Sequence, residues 1–213
     1  MTSIHDLGLF VVAGLLLNLT PGPDMTYIAA RAATGGFRDG LAAAFGIAAG
    51  CVVHTLAAAV GLSALIAASS TAFSVVKWCG AAYLLYAGVR LLAGSARRVP
   101  AAAAASVLAP ASPRAILREA FLINVFNPKV AMFFLAFLPQ FIAADAPAKA
   151  WSFVLLGCIF NLDSLAVTLP VAWLAGHAGR GLRQSARAAR LLTGAVGALF
   201  VLLAARLATL QRN

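Results

Sequence analysis

Six apolar stretches, each about as long as a bilayer's hydrocarbon core is thick, take up most of this chain: Leu7 to Ala30, Leu41 to Ala68, Phe73 to Leu92, Phe121 to Ala143, Trp151 to Ala175 and Leu191 to Leu210. In lipid no water satisfies backbone N–H and C=O groups, so such stretches are expected to be helices. With 62% of the 213 residues hydrophobic and 10% charged, against about a quarter charged in soluble proteins, little is left for a soluble domain. The sequence predicts an all-α integral membrane protein with six transmembrane helices. No Lys or Arg precedes the run from Leu7, and the apolar pattern resumes beyond Pro23, which marks a retained span and not a cleaved signal.

The net charge of +10 is explained by its placement. Arg31 and Arg38 follow span one, Arg90, Arg97, Arg98, Arg114 and Arg118 follow span three, and Arg180, Arg183, Arg187 and Arg190 follow span five; these are 11 of the 16 basic residues. The opposite side holds Lys77, Lys149, Arg206 and Arg212. The positive-inside rule then puts the three Arg-bearing segments in the cytoplasm and both termini on the outer, periplasmic side. Charge used for orientation argues against nucleic acid as a partner, and the lipid bilayer takes that place. The arginines from 180 to 190 also fit an interfacial helix on anionic lipid, beside the plainer reading of a topological anchor. Cys51, Cys79 and Cys158 are isolated within apolar spans, so a disulfide framework is not expected.

Between Gly94 and Ser112 the chain turns to Ala, Ser, Pro and Arg, a linker composition. It separates a first three-helix unit, residues 1–93, from a second, residues 119–213, with 94–118 as the cytoplasmic linker. Units of three spans enter the membrane from opposite sides, which is the arithmetic of a 3+3 inverted repeat. Gly46-Ile-Ala-Ala-Gly50 in span two is a small-xxx-small pattern, suited to helix contact within one chain or to a homodimer.

Within spans one and four the apolar pattern is interrupted at matching places, by Asn18-Leu-Thr-Pro21-Gly22-Pro23-Asp24 and by Asn124-Val-Phe-Asn127-Pro128-Lys129. The match is one residue out of register at Pro23-Asp24 and Pro128-Lys129. Paired Pro-broken helices point to a transporter's substrate site, so Asn18, Pro21, Gly22, Pro23, Asp24, Asn127, Pro128 and Lys129 are the candidate substrate-binding residues. Pro128 suits a first helical position with Asn127 as cap, which puts Lys129 in a first turn. A cation there opposes the helix dipole; aimed with the helix N-terminus at one point, it favours a carboxylate. The plainer alternative is snorkelling to the interface. Asp24 and Lys129 fit a pair that closes when the site is empty and parts to hold the ammonium and carboxylate of a zwitterion.

Asp163, beside Asn161 and Ser164 in span five, is a second carboxylate at membrane depth and, with Asp24, a candidate proton carrier, since desolvation disfavours the charged form of such groups. A structural pairing with Lys129 is the alternative. Cys51 and His54 share a helix face, yet no further ligand stands at metal-site spacing, so packing is the expectation and no metal or cofactor is assigned. Phe45, Phe126, Phe133, Phe134 and Phe137 read as packing or lipid-facing, with a pocket role for Phe126 as the lesser reading. No Gly-flanked nucleophilic Ser or HExxH marks an enzyme.

The first break, followed by Gly35-Gly36-Phe37-Arg38-Asp39-Gly40 and the glycines of span two, resembles the LysE/RhtB family of amino-acid exporters, and Asn124 to Lys129 with Pro139-Gln140-Phe141 resembles that family's second signature. The resemblance implies a multi-pass inner-membrane protein that exports a small amino acid or derivative of the homoserine, threonine, homoserine lactone, lysine, arginine or leucine type, driven by protons. The main alternative within the wider superfamily is a heavy-metal exporter of the cadmium type, for which Cys51 and His54 would matter.

Overall fold

A computed structural model describes residues 4–62, 109–143 and 146–178, with isolated helical positions between 64 and 93 and between 194 and 205. The body of expected spans three and six, most of the linker with Arg97 and Arg98, the arginines from 180 to 190, and Lys77, Cys79, Arg206 and Arg212 lie outside the described residues. Apart from one isolated bridge between Ile4 and Ile142, the described secondary structure is helical.

Span one is two helices, α1 (Leu7–Leu19) and α2 (Pro23–Gly35), bent by 54°. The cause is local. A residue before proline is pushed out of the helical region, and Thr20 is extended with ψ 124°, as is Gly22, which precedes Pro23. Gly36 alone joins α2 to α3 (Phe37–Ala57); its φ of 82° is a left-handed value suited to glycine. A wider π turn, Ala58–Leu62, extends α3 to a 26-residue apolar helix.

Span four breaks in the same manner. α4 (Pro113–Val125) ends before extended Asn127, α5 (Pro128–Met132) starts on the proline, and α4 is bent by 45° from the whole arm Pro128–Phe141. The chain continues through a π turn, Phe133–Phe137, and a tight turn, Leu138–Phe141. α4 begins earlier than the expected Phe121, capped by the Ser112 hydroxyl, which accepts from Ala115 N at 3.3 Å. Residues 113–118, expected in the linker, are therefore its first turns. α6 (Lys149–Ala178) is the fifth span. Among the described residues two continuous helices are long and apolar enough to cross a membrane, and the count is four if each bent pair is one span.

Contacts fix the directions. Gly46 lies against Leu117 and Ala120, and Gly50 against Phe121 and Asn124, so α3 and α4 run parallel. The Gly46 and Gly50 pattern thus joins helices of one chain. α2 runs opposite to α4, with Asp24 beside Asn124 and Arg31 beside Glu119. Spans one and four therefore cross in opposite senses. α6 is antiparallel to α3, with Gly157 against Thr55 and Gly40 against Ala172.

The apolar side chains form two cores. One gathers α1, α5 with its continuation and α6 around Phe10, Phe133, Phe137, Phe141, Phe153 and Phe160; the other gathers α2, α3 and α4 around Tyr27, Ile28, Ile47, Ile116 and Ala120. Each broken span puts one arm in each core. The breaks lie where one core gives way to the other.

Candidate functional site

At both breaks the chain carries polar side chains into this seam. Asn127 Oδ1 caps α5 by accepting from Lys129 N at 3.0 Å, as its place before Pro128 suggested. The Lys129 ammonium does not snorkel to an interface. It crosses to the other break and donates to Leu17 O at 3.1 Å and Thr20 O at 3.2 Å. A cation unfavourable to its own helix thus sits at the C-terminal end of α1, where the dipole favours it. Gly22 permits the approach: a Cβ there would stand 3.2 Å from the ammonium nitrogen.

Asp24, in the first turn of α2, accepts from Asn124 Nδ2 at 3.0 Å. Asp24 and Lys129 do not pair; among the described residues the ion pairs are Arg31–Glu119 and His5–Asp6. The expected closure of Asp24 on Lys129 is corrected, because each is held by neutral groups of the opposite break. Asp163 does not reach Lys129 either. Its Oδ2 lies against Gly14, where a Cβ would stand 2.8 Å away. Asn161 donates to Ala48 O at 3.1 Å, which fixes α6 against α3 beside the site.

Among the described residues six buried polar atoms have no hydrogen-bond partner: the donors Asn18 Nδ2 and Asn127 Nδ2, and the acceptors Asp24 Oδ1, Asn124 Oδ1, Asn161 Oδ1 and Asp163 Oδ2. Buried groups of this kind cost about 1–3 kcal/mol each when left unmade. Together they offer donors for a carboxylate and acceptors for an ammonium. Pro21, Gly22, Pro23 and Pro128 supply the backbone shape; Asn18, Asp24, Asn127 and Lys129 supply the polar groups.

Two contributors were read differently from sequence, Asn124 only as the start of the second break and His54 only beside Cys51 as a weak metal-ligand pair. Asn124, 2% exposed, is the residue that holds Asp24; its spacing of three from Asn127 was the available signal. His54 meets Asn124 O through Nε2 at 3.1 Å, on a carbonyl at the end of α4. Cys51 is buried, and no group of three His, Cys, Asp or Glu side chains suited to a metal occurs among the described residues. Phe126 is 78% exposed, so the lesser reading of it as a pocket residue fails, while Phe133, Phe134 and Phe137 are buried packing.

A broken-helix membrane protein with a polar seam at mid-span belongs among the translocators, and comparison gives the family. Residues 15–211 match the family model of the LysE type translocators, and the chain belongs to that family. An uncharacterized membrane protein of Pseudomonas aeruginosa is 33% identical over 208 residues, covering 97% of this chain and 96% of its own. Leucine efflux proteins of Enterobacter sp. and Salmonella typhimurium are 31% and 29% identical over 202 residues, covering 95% of this chain and 94% of theirs. No solved structure matches.

Proposed function

We propose that this translocator exports amino acids across the cytoplasmic membrane by proton-driven secondary transport, and that its substrate has an aliphatic side chain of the leucine type. The observation that carries this reading is the set of unpartnered donors and acceptors at the two breaks, Asn18 Nδ2, Asn127 Nδ2, Asp24 Oδ1 and Asn124 Oδ1. In it Asn18, Asn127 and Lys129 take the carboxylate, and Asp24 with Asn124 takes the ammonium. A cavity of about 280 Å³ opens beside His54, lined by Ala57, Ala58, Gly61, Leu62, Ala131 and Phe134. Its apolar wall suits a branched hydrocarbon and rejects a charged one. The relatives named as leucine efflux proteins agree with this choice.

In the same reading six helices form a 3+3 inverted repeat, with units 1–93 and 119–213 about the linker 94–118, both termini outside, and Asp163 and Asp24 carrying protons. The opposed directions of spans one and four support it. The test is counterflow in proteoliposomes. Leucine should exchange, with the rate rising under an imposed proton gradient, and Asp24→Asn should lower it at least 100-fold. Exchange of lysine or threonine in preference to leucine would discard the pocket assignment, cadmium movement would favour the metal exporter, and indifference to the gradient would end proton coupling.

A further inference from the structure

The second core carries a polar cluster that the binding site does not use. Arg31 is 6% exposed. Its guanidinium donates to Tyr27 Oη at 3.0 Å, to Glu119 Oε2 at 2.8 Å and to Ala109 O at 2.9 Å, and the Tyr27 hydroxyl donates to Glu119 Oε2 at 2.6 Å. Arg31 is thus not the free loop cation its place after span one suggested. We propose that Tyr27, Arg31 and Glu119 form a gate between the Arg-bearing face of the membrane and the site at the breaks, and that the gate is shut in this structure. The proposal rests on the transport reading above for its purpose, and on that reading's orientation for calling this face cytoplasmic.

Three observations converge on it. First, the bonds lie in one line: α2 and α4 run antiparallel, joined at Asp24–Asn124 inside the site and then, about 10 Å further along α2, at Arg31–Glu119 toward the end that bears exposed Arg38, Arg114 and Arg118. Second, they tie α2 of one broken span to α4 of the other, and to Ala109 ahead of α4, so their release lets the two arms part. Third, the pair is asymmetric. The Arg31 side chain is 7% exposed and that of Glu119 is 51% exposed, so one partner lies at the protein surface while the other stays covered. A buried ion pair adds little net stability over apolar packing, and a lone buried guanidinium is costly. Arg31 therefore leaves Glu119 only when water enters with it, and opening and hydration of the path become one event. The opposite arms, α1 and the continuation of α5, are closed by phenylalanines, with Phe10 and Phe137 centroids 6.0 Å apart. The two sides of the site are shut by different chemistry.

The experiment reads water access without using a substrate. Asn18→Cys, in a chain with Cys51→Ser, Cys79→Ser and Cys158→Ser, places a thiol at the break, and a membrane-impermeant maleimide is applied to inverted and to right-side-out vesicles. Labelling from the Arg-bearing face should be slow with the cluster intact, rise at least 10-fold in Arg31→Gln and in Glu119→Gln, and fall back in Glu119→Asp. Unchanged rates in both Gln variants overturn the gate, and so does a rise from both faces, which reports loosened packing. A reducible thiol-to-thiol linker between Tyr27→Cys and Glu119→Cys should stop leucine counterflow and release it on reduction; undiminished counterflow with the linker in place assigns the cluster a static role. Failure of leucine to exchange in the unlinked protein would count against the proposed substrate and leave the labelling result standing.

Discussion

Lys129 and Asp24 are each held by groups that arrive from the other half of the chain, so their substitutions separate structure from transport. Asp24→Asn keeps an oxygen for Asn124 Nδ2 to donate to and removes only the charge. Transport should fall at least 100-fold with the melting temperature in detergent within about 2 °C of wild type; a large loss of stability would recast Asp24 as structural. Lys129→Met strips the cation from Leu17 O and Thr20 O and should cost about 1–3 kcal/mol besides transport. Asn127→Asp divides two roles of one residue. A carboxylate caps α5 at least as well as an amide, yet it lacks the Nδ2 donor that now faces the seam. Stability should hold while the apparent affinity for substrate drops about 10-fold, measured by counterflow at several leucine concentrations; unchanged affinity would limit Asn127 to capping.

Among elements, the pairing of α3 with α4 sets the position of Asn124 and hence of Asp24. At Gly50 a Cβ would stand 2.7 Å from Asn124 Cβ and 2.9 Å from Phe121 O, and at Gly46 it would meet the Leu117 carbonyl. Gly50→Val should therefore force the helices apart, at an overpacking cost of about 1–3 kcal/mol. Gly8→Ala, with nothing within 4 Å, should leave thermal unfolding unchanged and serves as the control. The helix interruptions were legible because proline acts locally: Pro21, Pro23 and Pro128 dictate extended residues ahead of them wherever the chain goes. The start of α4 was less so. Arg114, Arg118 and Glu119 lower the hydropathy of its first turns, although Ser112-Pro113 carried a cap signal.

On the scale of the whole molecule, what the sequence withheld depends on approach between distant segments. Lys129 bonds to carbonyls 109 and 112 residues away, and Arg31 to Glu119 88 residues away. Neither follows from spacing along one helix. Hydropathy placed Arg31 in a loop because a helix bent by 54° carries its second arm beyond the apolar stretch, where a charge looks free. The family and the membrane class were readable from motif and composition, since both are properties of short or averaged sequence. Orientation remains a property of the whole: a protease-sensitive tag ahead of Met1 should be cut in right-side-out vesicles and spared in inverted ones, and the reverse would turn the gate to face the other compartment.

Gly36 links α2 to α3 with a single residue at φ 82°. A corner that short leaves the torsions of one residue as the freedom between the two helices, so in the proposed opening a swing of α2 away from α4 would pull on α3 as well. Because α3 and its π turn carry His54, Ala57, Ala58, Gly61 and Leu62 of the apolar cavity, the proposed unlatching would in the same stroke reshape the compartment proposed for the cargo's hydrocarbon tail.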